Sequence, residues 1–329
     1  MRKHIIITML LLMTAGLVFG AGSSEAEETE QTEQQYGDLL PGFIDQNNDL
    51  VADPPEDESE WLDPSTLIFS YTPVEDPEVY RGVWEEFLDH LADVTGKEVQ
   101  FFAVQNYAAQ LEALRSGRLH IAGVNTGSVP MAVNTAGFVP FVIMAGADGS
   151  YGYEMEIITQ PDSDITEMED LRGRQLALVS PTSNSGFKAP TALLSAEFGM
   201  AVDEDYQTAF SGNHDASILG VANGDYEAAA IANSVMKRMI ERGVVDQDSV
   251  RTIYTSDTFP TTGYGYIHNL HPDLAAKIVE AFTSFDWSGT RLEEEFGGGN
   301  DESQFMPITY QEHWAVIRTI DKATGVEYR

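Results

Sequence analysis

From residue 66 onward the chain alternates short apolar runs with amphipathic stretches, and most runs end in a polar turn. Thr66 to Tyr71 reads as a buried strand, and Glu78 to Thr95 as a helix with Val83, Phe87, Leu88 and Leu91 on one face. Strands over 99–104, 121–124 and 138–145, with helices over 107–116 and 128–135, complete a first set. The turn Asp148-Gly149-Ser150 opens a second, with strands over 153–159, 176–179, 208–211 and 228–231. The chain then recrosses: strands over 250–254 and 265–268 precede helices over 272–285, 291–296 and 310–323. Such alternation predicts an α/β protein of doubly wound, mainly parallel sheets with flanking helices, whose ligands bind at the carboxyl ends of the strands. Connectors near 149–154 and 259–265 divide it into a discontinuous lobe, 64–152 with 264–329, and a continuous lobe, 153–263. The expected architecture is a two-lobed clamp.

The most informative connection in the second lobe is Ser180-Pro181-Thr182-Ser183-Asn184-Ser185-Gly186-Phe187-Lys188-Ala189-Pro190. It follows the apolar run Leu176 to Val179 and precedes a helix. Thr182, Ser183, Asn184 and Ser185 stand where the first free N–H groups of that helix emerge, an arrangement suited to an anion. Gly186 permits close backbone approach, and Pro190 fits only in the first turn of the helix. Two further strands run into the turns Gly212-Asn213-His214 and Ala232-Asn233-Ser234. Three helix N-termini from one sheet would converge on one point and hold an anion without Lys or Arg. His214, at a helix start, is expected to be neutral and to serve as a single donor or acceptor.

Arg2 and Lys3, then an apolar run from Ile5 to Phe19 and the small residues Gly20 to Ser24, form the pattern of a signal peptide, 1–20. The chain has no cysteine, hence no disulfide and no cysteine-linked lipid anchor. Its 53 acidic residues face 18 basic ones, which argues against nucleic acid and anionic membranes as partners. Residues 21–63 carry 14 of those acids and no Lys or Arg, so a largely disordered tether is expected there. Within it, Asp45, Asn47, Asp49, Asp53 and Glu56 fall at the oxygen-ligand spacing of a calcium loop, but Leu50 stands where that loop needs glycine and prolines fill positions ten and eleven. An acidic linker is the favoured reading.

The order Asn106-Tyr107, Gly149-Ser150-Tyr151-Gly152-Tyr153, Asp170-Leu171-Arg172-Gly173, Ser183-Asn184-Ser185-Gly186-Phe187 and Gly212-Asn213-His214-Asp215 resembles the substrate-binding proteins of phosphonate/phosphite/phosphate ABC importers over roughly residues 66–322. The resemblance implies a type II periplasmic binding fold closing on a phosphorus oxyanion, with an inner-membrane ABC permease as partner. Export without a lipid anchor points to the periplasm, and a monomer with no cofactor, no metal and no direct membrane anchor is expected. The family's Ser-Thr-Ser-Gly turn is matched by Ser183, Asn184, Ser185 and Gly186, with Asn for Thr; Tyr107, Tyr153 and His214 fall on its other binding positions. Thr182, Thr126, Asn233 and Thr262 complete the expected site. Ser234 and Thr262 stand where members that bind aminoethylphosphonate are similar in carrying carboxylates, which argues against an amino-phosphonate. Tyr71, Tyr153 and Tyr264 are expected to set the volume beyond the turn.

Two alternatives share these residues. Ser183 or Ser185 with His214 and Asp215 supplies the members of a hydrolase triad for a phosphate ester, but Asp215 adjoins His214 in sequence and no G-x-S-x-G elbow exists. A binding protein feeding a sensor or a secondary transporter differs only in its partner.

Overall fold

The computed structural model describes residues 39–328, so the expected signal peptide lies outside the described residues. In chain order the strands are β1 (Thr66–Ser70), β2 (Glu98–Phe101), β3 (Ile121–Val124), β4 (Phe138–Ala145), β5 (Tyr153–Thr159), β6 (Gln175–Leu178), β7 (Gln207–Phe210), β8 (Ala228–Ala232), β9 (Arg251–Phe259), β10 (Gly263–Ile267) and β11 (Gln304–Pro307). They form a six-stranded sheet, β2-β1-β3-β10-β4-β11, and a five-stranded sheet, β7-β6-β8-β5-β9. The main helices are α1 (Glu85–Thr95), α2 (Tyr107–Arg115), α3 (Val129–Ala136), α4 (Ala189–Phe198), α5 (His214–Asn223), α6 (Asn233–Glu241), α7 (Pro272–Ser284) and α8 (Ala315–Thr324).

Most strands of each sheet run one way, as expected, but both sheets are mixed, with β10 and β11 reversed in the first and β5 in the second. β1 pairs in parallel with β2 and β3, and β6 with β7 and β8. By contrast β10 runs antiparallel to β3 and β4, β11 to β4, and β5 to β8 and β9. The reversal follows from the crossings: β4 ends at the edge where the sheets face each other, so the chain enters the second sheet from that edge and β5 must run away from it. β10 enters the first sheet in the same way. β11 was not legible in the sequence because Gln304-Phe305-Met306-Pro307 is a four-residue edge strand ending in proline.

Two expected helices are broken, each at a buried indole. The run over 78–95 divides into a turn at Glu78–Arg81 and α1, because Trp84 packs its ring 4.7 Å from Phe69. The run over 310–323 divides at Trp314, whose Nε1 donates to the Thr126 carbonyl at 2.9 Å. Trp84 belongs to an aromatic core with Phe87, Tyr264, Phe282 and Phe305, in which Phe87 and Phe282 approach to 4.5 Å between centroids. Each such burial contributes roughly 1.5–3 kcal/mol. Tyr264 is consumed by this core and does not reach the ligand cavity.

Residues 39–63 are not free chain, contrary to the expected tether. Phe43 packs edge-on against His268 at 4.9 Å and Trp61 against His271 at 5.3 Å. Leu62 exchanges backbone hydrogen bonds with Asn269 and His271, both at 2.8 Å. In the calcium-like stretch the Asp45 carboxylate accepts the Asp49 and Leu50 N–H groups at 3.1 and 3.0 Å, and Leu50 takes the left-handed φ of 69° that glycine would adopt. No cluster of three His, Cys, Asp or Glu placed to hold a metal occurs among the described residues. Nor is any helix among them long and apolar enough to cross a membrane.

Candidate ligand-binding site

The polar turn after β6 begins as a π-helical turn, Asn184–Lys188, before α4 continues it. Ser183 caps that turn by accepting the Gly186 N–H at 3.1 Å, and Lys188 N–H reaches back to the Ser183 carbonyl at 3.1 Å. The wide turn follows from crowding: a Cβ on Gly186 would lie 2.5 Å from Cβ of Val179 and 2.8 Å from Ser183 Oγ. Pro190 sits in the first turn of α4, where its missing N–H costs nothing.

A cavity of about 50 Å³ lies between this turn and the facing edge of the first sheet. One water requires roughly 10–15 Å³ by the same measure, so the cavity suits a ligand the size of a few waters. Ser183, Asn184, Ser185, Tyr107, Tyr153, His214, Thr126 and Thr262 line it. Among these, Asn184 Nδ2 donates to the Tyr153 hydroxyl at 3.1 Å, and Thr126 Oγ1 to the Pro260 carbonyl at 2.8 Å. Burial raises the Tyr107 pKa well above its ordinary value, so the hydroxyl stays protonated, and it is left without a hydrogen-bond partner. Thr261 Oγ1 and the side-chain oxygens of Asn125 and Asn184 are likewise buried and unpartnered around the cavity. Such atoms cost roughly 1–3 kcal/mol each unless something binds them.

Three expected site residues do not reach the wall. Thr182 is half-buried and contributes its carbonyl, which accepts from Asn125 Nδ2 at 3.3 Å across the cleft. Gly186 shapes the turn, and its carbonyl accepts the Val179 N–H at 2.8 Å. Asn233 is held by Glu154, whose N–H it accepts at 3.0 Å, and its neighbour Ser234 lines the cavity instead.

The wall is not free of charge, contrary to the expectation of an uncharged donor cluster. Arg238 and Glu302 both line it. Arg238 lies on α6 one turn after Ser234, a spacing that puts both on one helix face and that a helical reading of 233–241 contains. Its Nη2 donates to Glu75 at 3.4 Å and to the Tyr80 hydroxyl at 3.3 Å, with the guanidinium 5.3 Å from the Phe296 ring. Glu302 has no local sequence signal; it enters from the loop before β11.

His214 is the first residue of α5, and its N–H donates to the Val74 carbonyl at 3.0 Å. Its Nδ1 accepts the Ala232 N–H at 3.1 Å, which leaves the proton on Nε2 as a donor. Burial, with the Arg238 charge adding to it, lowers the His214 pKa to about 3. Between that value and the ordinary 6.5 the folded state binds fewer protons than the unfolded chain. The contribution is therefore complete above about pH 6.5 and is lost as pH falls toward 3. Thermal melts across this range are expected to show a midpoint that falls with acidity, and His214→Gln is expected to flatten that acid limb.

The same geometry removes the hydrolase alternative. Nδ1 of His214 is occupied by a backbone donor, so no carboxylate orients the ring, and the Asp215 carboxylate accepts the Ala216 N–H at 2.8 Å. Two lobes meeting over a small polar cavity, with no relay between nucleophile and base, define a ligand-binding clamp. The chain belongs to the family of periplasmic phosphonate substrate-binding proteins of ABC transporters, whose model matches residues 69–313. It is 28% identical over 268 residues to the phosphate-import protein PhnD of Mycolicibacterium smegmatis, covering 78% of this chain and 82% of that one. The phosphonates-binding periplasmic protein of Escherichia coli is 24% identical, over 67% of this chain and 66% of that one. Among solved structures, a binding component of a phosphonate ABC transporter from Pseudomonas aeruginosa aligns with a TM-score of 0.71 at 22% identity, covering 79% of this chain and 86% of that chain. PhnD1 of Prochlorococcus marinus, in complex with methylphosphonate, aligns with a TM-score of 0.69 at 16% identity, covering 80% and 99%. The protein is thus a periplasmic substrate-binding protein of the phosphonate ABC transporter family and not an enzyme.

Proposed function

We propose that the cleft captures a small phosphorus oxyanion, namely phosphate, phosphite or methylphosphonate, and delivers it to the permease as the lobes close. The observation that carries this reading is the cavity of about 50 Å³ lined by neutral donors together with Arg238 and Glu302, whose size matches a tetrahedral anion rather than a long-tailed phosphonate. Ser183, Asn184, Ser185, Tyr107 and the Nε2 proton of His214 serve as donors, with Tyr153, Thr126 and Thr262 shaping the wall. Neutral Ser234 and Thr262 offer no ammonium site of the aminoethylphosphonate kind. The named relatives point the same way, toward phosphate import and methylphosphonate binding. Residues 1–20 act as a cleaved signal peptide, and the mature chain works as a monomer. Closure follows from a ligand that touches both lobes, since only differential contact shifts the equilibrium.

Calorimetric titration of the mature protein with phosphate, phosphite, methylphosphonate, aminoethylphosphonate and sulfate tests the reading. One small phosphorus oxyanion is expected to bind tightly, and Ser185→Ala to weaken it by about 10–100-fold, as expected for losing one charge-assisted hydrogen bond. Absence of binding across the whole panel is the result against it.

A further inference from the structure

Glu302 is only 8% exposed and is fixed in place by its surroundings. It follows Gly297-Gly298-Gly299-Asn300-Asp301, a loop that leaves the first lobe and grips α6 of the second. Gly299 N–H donates to the Glu241 carboxylate, and Asn300 Nδ2 to the Ser234 carbonyl at 3.3 Å. The backbone on either side is pinned, Glu302 N–H to the Phe296 carbonyl at 3.2 Å and Ser303 N–H to the Ala145 carbonyl at 2.8 Å. Glu302 lines the ligand cavity, and burial with the Arg238 and Lys237 charges, not a hydrogen bond, sets the surroundings of its carboxyl group.

The neighbouring carboxylates are engaged elsewhere. Glu75 is bound by Tyr80, Arg238 and Arg242, Glu295 pairs with Arg242 at 3.0 Å, and Asp215 accepts the Ala216 N–H. The charged and titratable groups around Glu302 are Arg238 and Lys237 on α6, Tyr71 after β1 and Tyr264 on β10. Burial pushes the Glu302 pKa up to about 7, with Arg238 and then Lys237 opposing. A fully ionised carboxylate facing a fully ionised anion in this cavity would be repelled strongly. A single proton between the two turns that repulsion into a charge-assisted hydrogen bond.

We propose that Glu302 is a specificity-determining residue that shares one proton with the bound oxyanion, accepting it from a P–O–H of the ligand or donating its own to a P–O⁻. This rests on reading the cavity as an oxyanion site. No bond to phosphorus changes; the proton stays between two oxygens. Phosphate brings a proton at neutral pH, whereas sulfate brings none and must rely on protonated Glu302. The site therefore rejects sulfate increasingly as pH rises.

The test is competition between phosphate and sulfate on the mature protein and on Glu302→Gln at about pH 6 and about pH 8.5. In the wild type the preference for phosphate is expected to widen by roughly tenfold or more between the two pH values, and in Glu302→Gln to narrow and lose its pH dependence. A second readout needs no variant: titrations in buffers of different protonation enthalpy near pH 7.5 are expected to show about one more proton taken up with sulfate than with phosphate. Unchanged selectivity and pH profile in a Glu302→Gln variant that still binds phosphate, or equal proton uptake with both anions, overturns the inference. A preference of the wild type for a short amino-phosphonate that Glu302→Gln abolishes also overturns it, by assigning the carboxylate to an ammonium. Failure of the wild type to bind any of these anions overturns the oxyanion reading itself.

Discussion

Gly127→Ala is expected to lower ligand affinity by about 10²-fold with a smaller effect on the unfolding midpoint, because the atoms nearest to the added methyl all belong to the facing lobe. Gly127 follows β3 in the first lobe and sits directly against the Asn184–Lys188 turn of the second. A Cβ built there would lie 2.5 Å from the Asn184 backbone nitrogen and 2.9 Å from the Ser183 carbonyl carbon. These are main-chain atoms, so no side chain can rotate away to relieve the overlap. Nearby cross-lobe hydrogen bonds, Asn125 Nδ2 to the Thr182 carbonyl at 3.3 Å and Lys188 Nζ to the Gly127 carbonyl at 2.7 Å, would be stretched with it. Small-angle scattering with saturating ligand is the direct check: the wild type should compact and the variant should remain extended. Wild-type affinity in the variant would mean that the turn and Gly127 need not meet for capture.

Nothing about Gly127 stood out in the sequence, where it is one small residue in Asn125-Thr126-Gly127-Ser128. That contrast shows what local patterns carry and what they omit. The strand-turn-helix grammar around Ser183 to Pro190 was legible because helix starts impose their own residue preferences on consecutive positions. His214 was legible for the same reason, although only the Ala232 N–H on its Nδ1 identifies Nε2 as the donor. Arg238 was half-legible, since α6 places it one turn beyond Ser234. Glu302 was not legible at all: it reaches the cavity through a loop whose position depends on contacts with Glu241 and Ser234, about 60 residues earlier. The reversed strands β5 and β10 were missed for a related reason, because direction within a sheet is decided by where the chain crosses, not by the composition of the strand. Trp84 and Trp314 broke two helices whose periodicity ran on, a case of tertiary packing overriding propensity.

Lys188 and Asp321 carry the second large effect. The ammonium is 2% exposed and the carboxylate 0%, at a separation of 2.7 Å. Lys188 closes the π-helical turn that presents Ser183, Asn184 and Ser185, while Asp321 lies on α8, which packs against that turn and α4. Tyr328 adds a hydrogen bond to the carboxylate at 2.8 Å. Burial lowers the Lys188 pKa and raises that of Asp321, and in each case the partner opposes the shift. Breaking such a pair from one side leaves an uncompensated buried charge, so Asp321→Asn is expected to cost about 3–5 kcal/mol of stability in denaturant titration. The same ammonium also donates to the Gly127 carbonyl across the cleft, so the loss of stability is accompanied by weaker capture. Replacing both partners, as in Lys188→Met with Asp321→Leu, separates the two roles. Apolar groups of similar volume are expected to restore stability to within about 1–2 kcal/mol of the wild type. Affinity is expected to stay roughly tenfold low, because nothing then donates to Gly127 when the lobes meet. Recovery of affinity together with stability would show that Lys188 only holds the turn in shape; stability without affinity would place this buried lysine in the closing contact itself.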